Sequence, residues 1–357
     1  MRIMPGRSKK ILSYLNAGIE RRLFPGCVLG MVRGGEKEVI AAGRLTYDPD
    51  SPPVTGQTVY DVASVTKSIP TSGLALMLCD EKIWSPETRL IDFVPEFTGA
   101  FRGEITIRHL LTQTLAFDFR LSARKHLPGA AILRDILDAP LSAPPGTCFS
   151  YANATSILLG LAVERACSMR LDEAADRHFF APLCMRATTF FPETLSGAAV
   201  APTEDDPWRG RVICGEVHDE SAWALRPAVV AGSAGLFSTA PDLLRFTKML
   251  LCKGELDGRR YFAPETIALM QTNVLPPALG TVAAPGWELN QPAFMGTTST
   301  PTTFGKTGFT GCAIVVDPGR DTGMVFLANH TFPKRRGDRS AINEVRSALA
   351  DLVYGES

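Results

Sequence analysis

The sequence predicts an α/β fold in which the two ends of the chain build one strand-and-helix lobe around an antiparallel sheet, and the middle forms an inserted, mainly helical lobe. Three observations predict it. Apolar alternation with a period of two is confined to residues 28–42 and 303–329, apolar residues three and four apart dominate from 64 to 280, and a helical pattern lies outside the strands at each end. The expected division is residues 1–63 with 281–357 as the α/β lobe and 64–280 as the helical lobe, joined as one continuous unit.

In chain order, the first helix is capped near Ser8 and carries Ile11, Leu12, Leu15, Ile19 and Leu23 along one stripe. Val28 to Val32 and Glu38 to Ala42 flank Gly34-Gly35-Glu36-Lys37 as a hairpin. Helical spacing follows at Val65 to Asp80, Ile107 to Gln113, Ala130 to Asp138, Ala154 to Cys167, Asp172 to Phe180, Asp242 to Leu251 and Pro264 to Thr272. Strands return at Thr303 to Thr307, Cys312 to Asp317 and Gly323 to Asn329, and a helix from Ser340 to Val353 closes the chain.

The composition is that of a folded, water-facing protein. Of 357 residues, 45% are hydrophobic and 21% charged, and Lys plus Arg equals Asp plus Glu at 37 each, so no global field draws nucleic acid or an anionic membrane. The basic run Lys334-Arg335-Arg336 reads as a solvated loop. No stretch reaches the roughly 20 apolar residues of a membrane span, and the N-terminus lacks the apolar core of a signal segment. The eight cysteines are scattered without a C-x-x-C pair and read as buried free thiols, which points to a reducing, cytoplasmic compartment. The five histidines show no metal-ligand spacing, and no cofactor is implied.

Residues 305–311, GKTGFTG, carry the first chemical question. A Walker loop needs glycine five positions before Gly305, where Thr300 stands, and a helix after it, where two β-branched runs follow. The nucleotide reading therefore fails, and the runs after Gly311 read as a β-hairpin, with Lys306-Thr307-Gly308 left as a candidate part of an acyl-transfer site. Ser64-Val65-Thr66-Lys67 sets a hydroxyl and an amine three residues apart on one helical face, where a desolvated lysine can act as the base for serine. Ser122-Ala123-Arg124-Lys125 repeats that spacing in a polar stretch and is read as coincidence. Tyr151-Ala152-Asn153 lies on a loop before a helix, where a phenol can relay protons and an amide can hold the lysine and a carbonyl. Tyr14-Leu15-Asn16 matches the same pattern inside the first helix.

In the order S-x-x-K, Y-x-N, K-T-G, at the start of the insert, within it and on a returning strand, these motifs converge at the seam between lobes. The chain here resembles the serine β-lactamase and penicillin-binding protein superfamily, and with Y-A-N in place of S-D-N it is similar to the class C branch, which includes D-Ala-D-Ala peptidases and carboxylesterases. The resemblance implies a β-lactamase/transpeptidase-like fold. It also implies Ser64 as acylated nucleophile, Lys67 as its base partner, Tyr151 as proton shuttle and Asn153 as a contact to Lys67 and substrate. Lys306 would supply positive charge near Tyr151 and a substrate carboxylate, Thr307 would bond that carboxylate, and Gly308 would lead into an oxyanion hole made by the N–H groups of Ser64 and Phe309.

Three departures stand out. Pro70 falls inside the first helix of the insert, where it removes a backbone donor and should kink or loosen that turn, Leu111 to Ala116 stands where many relatives have an H-T-S-G-like loop, and Ser233 stands where one subgroup of these hydrolases usually carries histidine. His218 reads as a hydrogen-bonded loop residue. The expected activity is hydrolysis of a small ester, amide or β-lactam-like substrate, with specificity in the loops at 115–126 and 203–232. A true β-lactamase or D-Ala-D-Ala carboxypeptidase is the competing enzyme, and a non-catalytic penicillin- or peptide-binding relative is the competing class.

Overall fold

The computed structural model describes residues 5–226 and 228–355, so the first four residues of the expected α/β lobe lie outside the described residues. Its largest sheet has seven strands. In chain order these are β1 (Gly26–Arg33), β2 (Glu36–Gly43), β3 (Ala283–Ala284), β4 (Trp287–Leu289), β5 (Phe304–Thr307), β6 (Ala313–Asp317) and β7 (Thr322–Ala328). They are arranged β2-β1-β7-β6-β5-β4-β3, and every neighbouring pair is antiparallel. The first and last long strands therefore meet: Cys27 pairs with Ala328 and Arg33 with Thr322.

Side-chain alternation sorts β7 onto two cores. Met324, Phe326 and Ala328 join Ile11, Leu15, Leu29 and Met31 beneath the helices Pro5–Glu20 and Ser340–Tyr354. Val325 and Leu327 join Val28, Val32 and Leu244 on the other face, under the helix Ala240–Leu251. That helix lies so close that a Cβ on Gly323 would run into Thr247. Both faces of the central strands are covered, which is why they read as apolar runs rather than as clean alternation.

The predicted hairpin and terminal helices are present with boundaries shifted by a few residues at most. Leu12 departs from its expected stripe, being 39% exposed, whereas Ile11, Leu15 and Leu23 are buried and Ile19 packs against the same core. The helix expected from Val65 to Asp80 is broken into a tight turn at Ala63–Lys67, an irregular turn at Ser68–Ser72 and a helix at Gly73–Asp80. Ile69 leaves helical space at φ −122°, ψ 113°, as the residue before a proline does. The short strands β3 and β4 and the helix Glu220–Leu225 have no counterpart in the sequence reading.

All eight cysteines are free. Only Cys27 and Cys312 are buried, while Cys184, Cys214 and Cys252 are exposed, which corrects the expectation of buried thiols. Arg335 likewise corrects the solvated basic loop: it pairs with Glu204 at 2.6 Å and Glu220 at 2.9 Å. Among the described residues no helix is long and apolar enough to cross a membrane.

Candidate active site

Ser64 sits on the turn Ala63–Lys67, and the chain enters that turn under constraint. Ala63 has φ +47°, unusual for a residue with a side chain. The buried Asp61 carboxylate holds it there, accepting the Ala63 N–H at 2.8 Å and the His218 N–H at 2.8 Å. Thr66 Oγ1 donates back to the Ala63 carbonyl at 2.6 Å and Val65 is fully buried, so the middle residues of S-V-T-K anchor the turn while its ends face the cleft.

Lys67 is buried, and its Nζ lies 3.1 Å from Ser64 Oγ, 2.8 Å from Asn153 Oδ1 and 2.8 Å from the Ser233 carbonyl. Two carbonyl-type acceptors and one hydroxyl suit a neutral amine: its two N–H bonds go to the carbonyls and its lone pair to the serine proton. Burial, with help from the Lys306 charge, lowers the Lys67 pKa from 10.5 against the opposing pull of Tyr151. Asn153, first residue of the helix Asn153–Cys167, spends its other amide atom on Asp219 Oδ2 at 2.9 Å. It opens this helix rather than closing the loop before it, and its amide already bonds Lys67 and Asp219.

Tyr151 is 47% exposed. The Nζ atoms of Lys306 and Lys67 lie 4.6 and 5.0 Å from its ring centre. Burial of the phenol works to raise its pKa, but Lys306, Lys67 and a hydrogen bond with Ser64 outweigh it, so the value falls below 10.0. Lys306, on β5, goes the other way: burial lowers it, yet Glu288 and Tyr151 prevail and lift it above 10.5. Its Nζ is 2.7 Å from Glu288 Oε1 on the neighbouring β4. The site thus holds one lysine tuned toward the free base, one held as a cation, and a tyrosine tuned toward phenolate.

Thr307 and Phe309 line the cleft beside Lys306, whereas Gly308 lies behind it. A Cβ on Gly308 would run into the Val62 carbonyl oxygen, so glycine lets the strand end pass beside the Ser64 turn. Phe309 stacks on His218, with ring centres 5.6 Å apart. His218 is buried, with Nε2 2.9 Å from Glu204 Oε2, and does not line the cleft.

The cleft encloses about 340 Å³. Its walls correct the expectation that residues 115–126 and 203–232 shape it: they come from 111–113, Phe149, 281–291 and Arg339. Glu288, Asp219 and Gln113 are site residues that sequence reasoning missed. Gln113 fastens the Tyr151 loop, accepting the Ala152 N–H at 3.0 Å on its side chain and the Ser150 N–H at 2.8 Å on its carbonyl. Only Asp219 left a usable signal, an aspartate directly before E-S-A-W-A-L, the pattern of a helix cap. Among the described residues no cluster of His, Cys, Asp and Glu could hold a metal.

A family model described as Beta-lactamase matches residues 13–347. A "Putative D-alanyl-D-alanine carboxypeptidase" of Escherichia coli (strain K12) is 28% identical over 308 residues, 77% of this chain and 70% of that protein. Among solved structures, "EstCE1, a hydrolase with promiscuous acyltransferase activity" superimposes with a TM-score of 0.77 at 22% identity over 98% of both chains. A penicillin-binding protein homologue from Caulobacter crescentus does so with a TM-score of 0.76 at 18% identity over 99% of both. At these identities the two structures speak to the fold, which they share with this chain.

Proposed function

The chain belongs to the Beta-lactamase family and is a serine hydrolase, and from that premise we propose that it cleaves esters or amides through an acyl-enzyme on Ser64. The carrying observation is the Lys67 amine, buried 3.1 Å from Ser64 Oγ with two carbonyl-type acceptors for its own N–H bonds. Ser64 Oγ attacks the substrate carbonyl carbon and its proton passes to Lys67 or Tyr151. The carbonyl π pair moves onto oxygen, where the Ser64 and Phe309 N–H groups receive it. Collapse expels the alcohol or amine, which takes a proton back through Tyr151, and water then hydrolyses the ester on Ser64 by the same relay. Lys306 keeps positive charge beside Tyr151, which favours the phenolate.

Within this chemistry we assign neutral acyl donors as the better substrates, ahead of the β-lactam and D-Ala-D-Ala reactions. Leu111, Phe149, Val282, Ala283, Ala284 and Trp287 make an apolar wall, and Lys306 already carries Glu288 as a partner. The test labels the protein with a fluorophosphonate, maps the adduct by mass spectrometry, and compares p-nitrophenyl esters, nitrocefin and D-Ala-D-Ala peptides. Adduct on Ser64 with esters turned over fastest is expected. Adduct elsewhere would overturn the nucleophile, nitrocefin or peptide turned over fastest would overturn the substrate class, and no adduct or turnover would leave a binding protein. Eight unpaired thiols support a cytoplasmic location, which would be refuted if maleimide labelling of the unfolded, unreduced protein counted fewer than eight.

A further inference from the structure

We infer that Arg346 is a positioning residue of the oxyanion site: its guanidinium orients and polarises the Gly308–Phe309 peptide, whose N–H receives the developing oxyanion. The inference rests on the Ser64 acyl-enzyme reading above. Arg346 projects from the helix Ser340–Tyr354 and is 2% exposed. It lies beneath the turn that follows Lys306-Thr307, and three carbonyls of that turn converge on it. Nη2 donates to the Gly308 oxygen at 2.7 Å and the Cys312 oxygen at 3.0 Å, and Nε donates to the Gly311 oxygen at 3.3 Å. Asn343 Oδ1 takes Nη1 at 2.7 Å and fixes the plane of the guanidinium.

Among the described residues no carboxylate is paired with it. Burial brings its pKa down to about 10, which leaves it charged at neutral pH. A buried cation without a counter-ion is costly, and an apolar side chain could pack a helix on a turn for less. What the cation adds is direction. The Gly308 carbonyl and the Phe309 N–H belong to one resonant amide, so a full positive charge on that oxygen draws density from the nitrogen and strengthens the N–H as a donor. Among the described residues that N–H donates to no other group of the chain, and Phe309 lines the cleft with Ser64. When Ser64 Oγ adds to the substrate carbonyl and the π pair moves to oxygen, the charge lands opposite this polarised donor.

The test uses the full chain with Arg346→Met, Arg346→Lys and Asn343→Asp. The last keeps the shape of the site while setting a carboxylate against the guanidinium. Acylation by a neutral p-nitrophenyl ester is measured per titrated active site, and the acyl-enzyme carbonyl stretch is read by infrared difference spectroscopy. Removing an oxyanion donor outright costs about a hundred- to a thousand-fold, so weakening one should cost about ten-fold in acylation. Arg346→Met should show that loss with KM little changed and the carbonyl stretch moved to higher frequency. Asn343→Asp should move both the same way by less, and Arg346→Lys should recover part of the rate.

Parental rates and stretch in Arg346→Met and Asn343→Asp, with only a lower melting temperature, would overturn the inference. Should Arg346→Met not fold, Asn343→Asp decides alone. A parent enzyme that is never acylated on Ser64 would instead sink the functional reading itself.

Discussion

Ser64-Val65-Thr66-Lys67 and Ser122-Ala123-Arg124-Lys125 share a spacing, and each serine lies on a tight turn, at Ala63–Lys67 and Leu121–Arg124, yet the two lysines have opposite fates. Lys67 is buried with two carbonyl-type acceptors and a serine hydroxyl around it. Lys125 is half-buried, pairs with Glu220 at 3.6 Å and lies over the Trp208 ring at 4.8 Å, while Ser122 faces solvent. Spacing brings a hydroxyl and an amine to one side of a turn. Desolvation and neutral acceptors favour a free amine at Lys67, whereas Lys125 sits against a carboxylate and an indole ring.

The largest expected effect separates the serines. Ser64→Ala should lose about 10⁴-fold or more in ester turnover, and Ser122→Ala should match the parent in the same steady-state assay. Equal losses would erase the contrast. Next come the lysines: Lys67→Met should slow acylation by about 10²- to 10⁴-fold, read by stopped flow, whereas Lys125→Met should stay within about two-fold, because Lys125 does not line the cleft. A matching loss at Lys125 would mean that the polar stretch takes part in the chemistry.

The smallest effect sharpens why Lys67 differs, and it concerns pH. Lys306 lowers the pKa values of both Tyr151 and Lys67, and the reactive forms are the deprotonated ones. Lys306→Met should therefore raise both and move the acid limb of kcat/KM to higher pH. Glu288 raises the Tyr151 value, so Glu288→Gln should move that limb to lower pH. Shifts of the same sign in the two variants would contradict the electrostatic account.

The residues proposed to carry the chemistry were legible as a group because S-x-x-K, Y-x-N and K-T-G each keep their donors and acceptors within four consecutive positions. The break after Lys67 was legible for a similar reason, since Pro70 acts on its own neighbour. What supports them was not. Glu288 reaches Lys306 across a strand of three residues, too short to display alternation. Asp219 reaches Asn153 from a different part of the chain, and Ser233 contributes a backbone carbonyl that no side-chain pattern encodes. The cleft walls were misplaced because the loops at 115–126 and 203–232, although within the helical insert, do not line the cleft, while the chain at 281–291 folds back along β5 and does. The α/β class itself needed only the apolar periods at the two ends.

The sheet order carries a consequence for the protein's biosynthesis. Because β1 pairs with β7, the earliest long strand waits for the latest one, and the ribosome must pass Ala328 before the sheet can close. Until then β1 keeps an open hydrogen-bonding edge and the Ser64 turn has no Lys306 or Phe309 beside it. A nascent chain should therefore be inert toward acyl donors and adhesive toward other strands. Labelling of Ser64 on stalled chains should begin only when residues past Ala328 have cleared the exit tunnel.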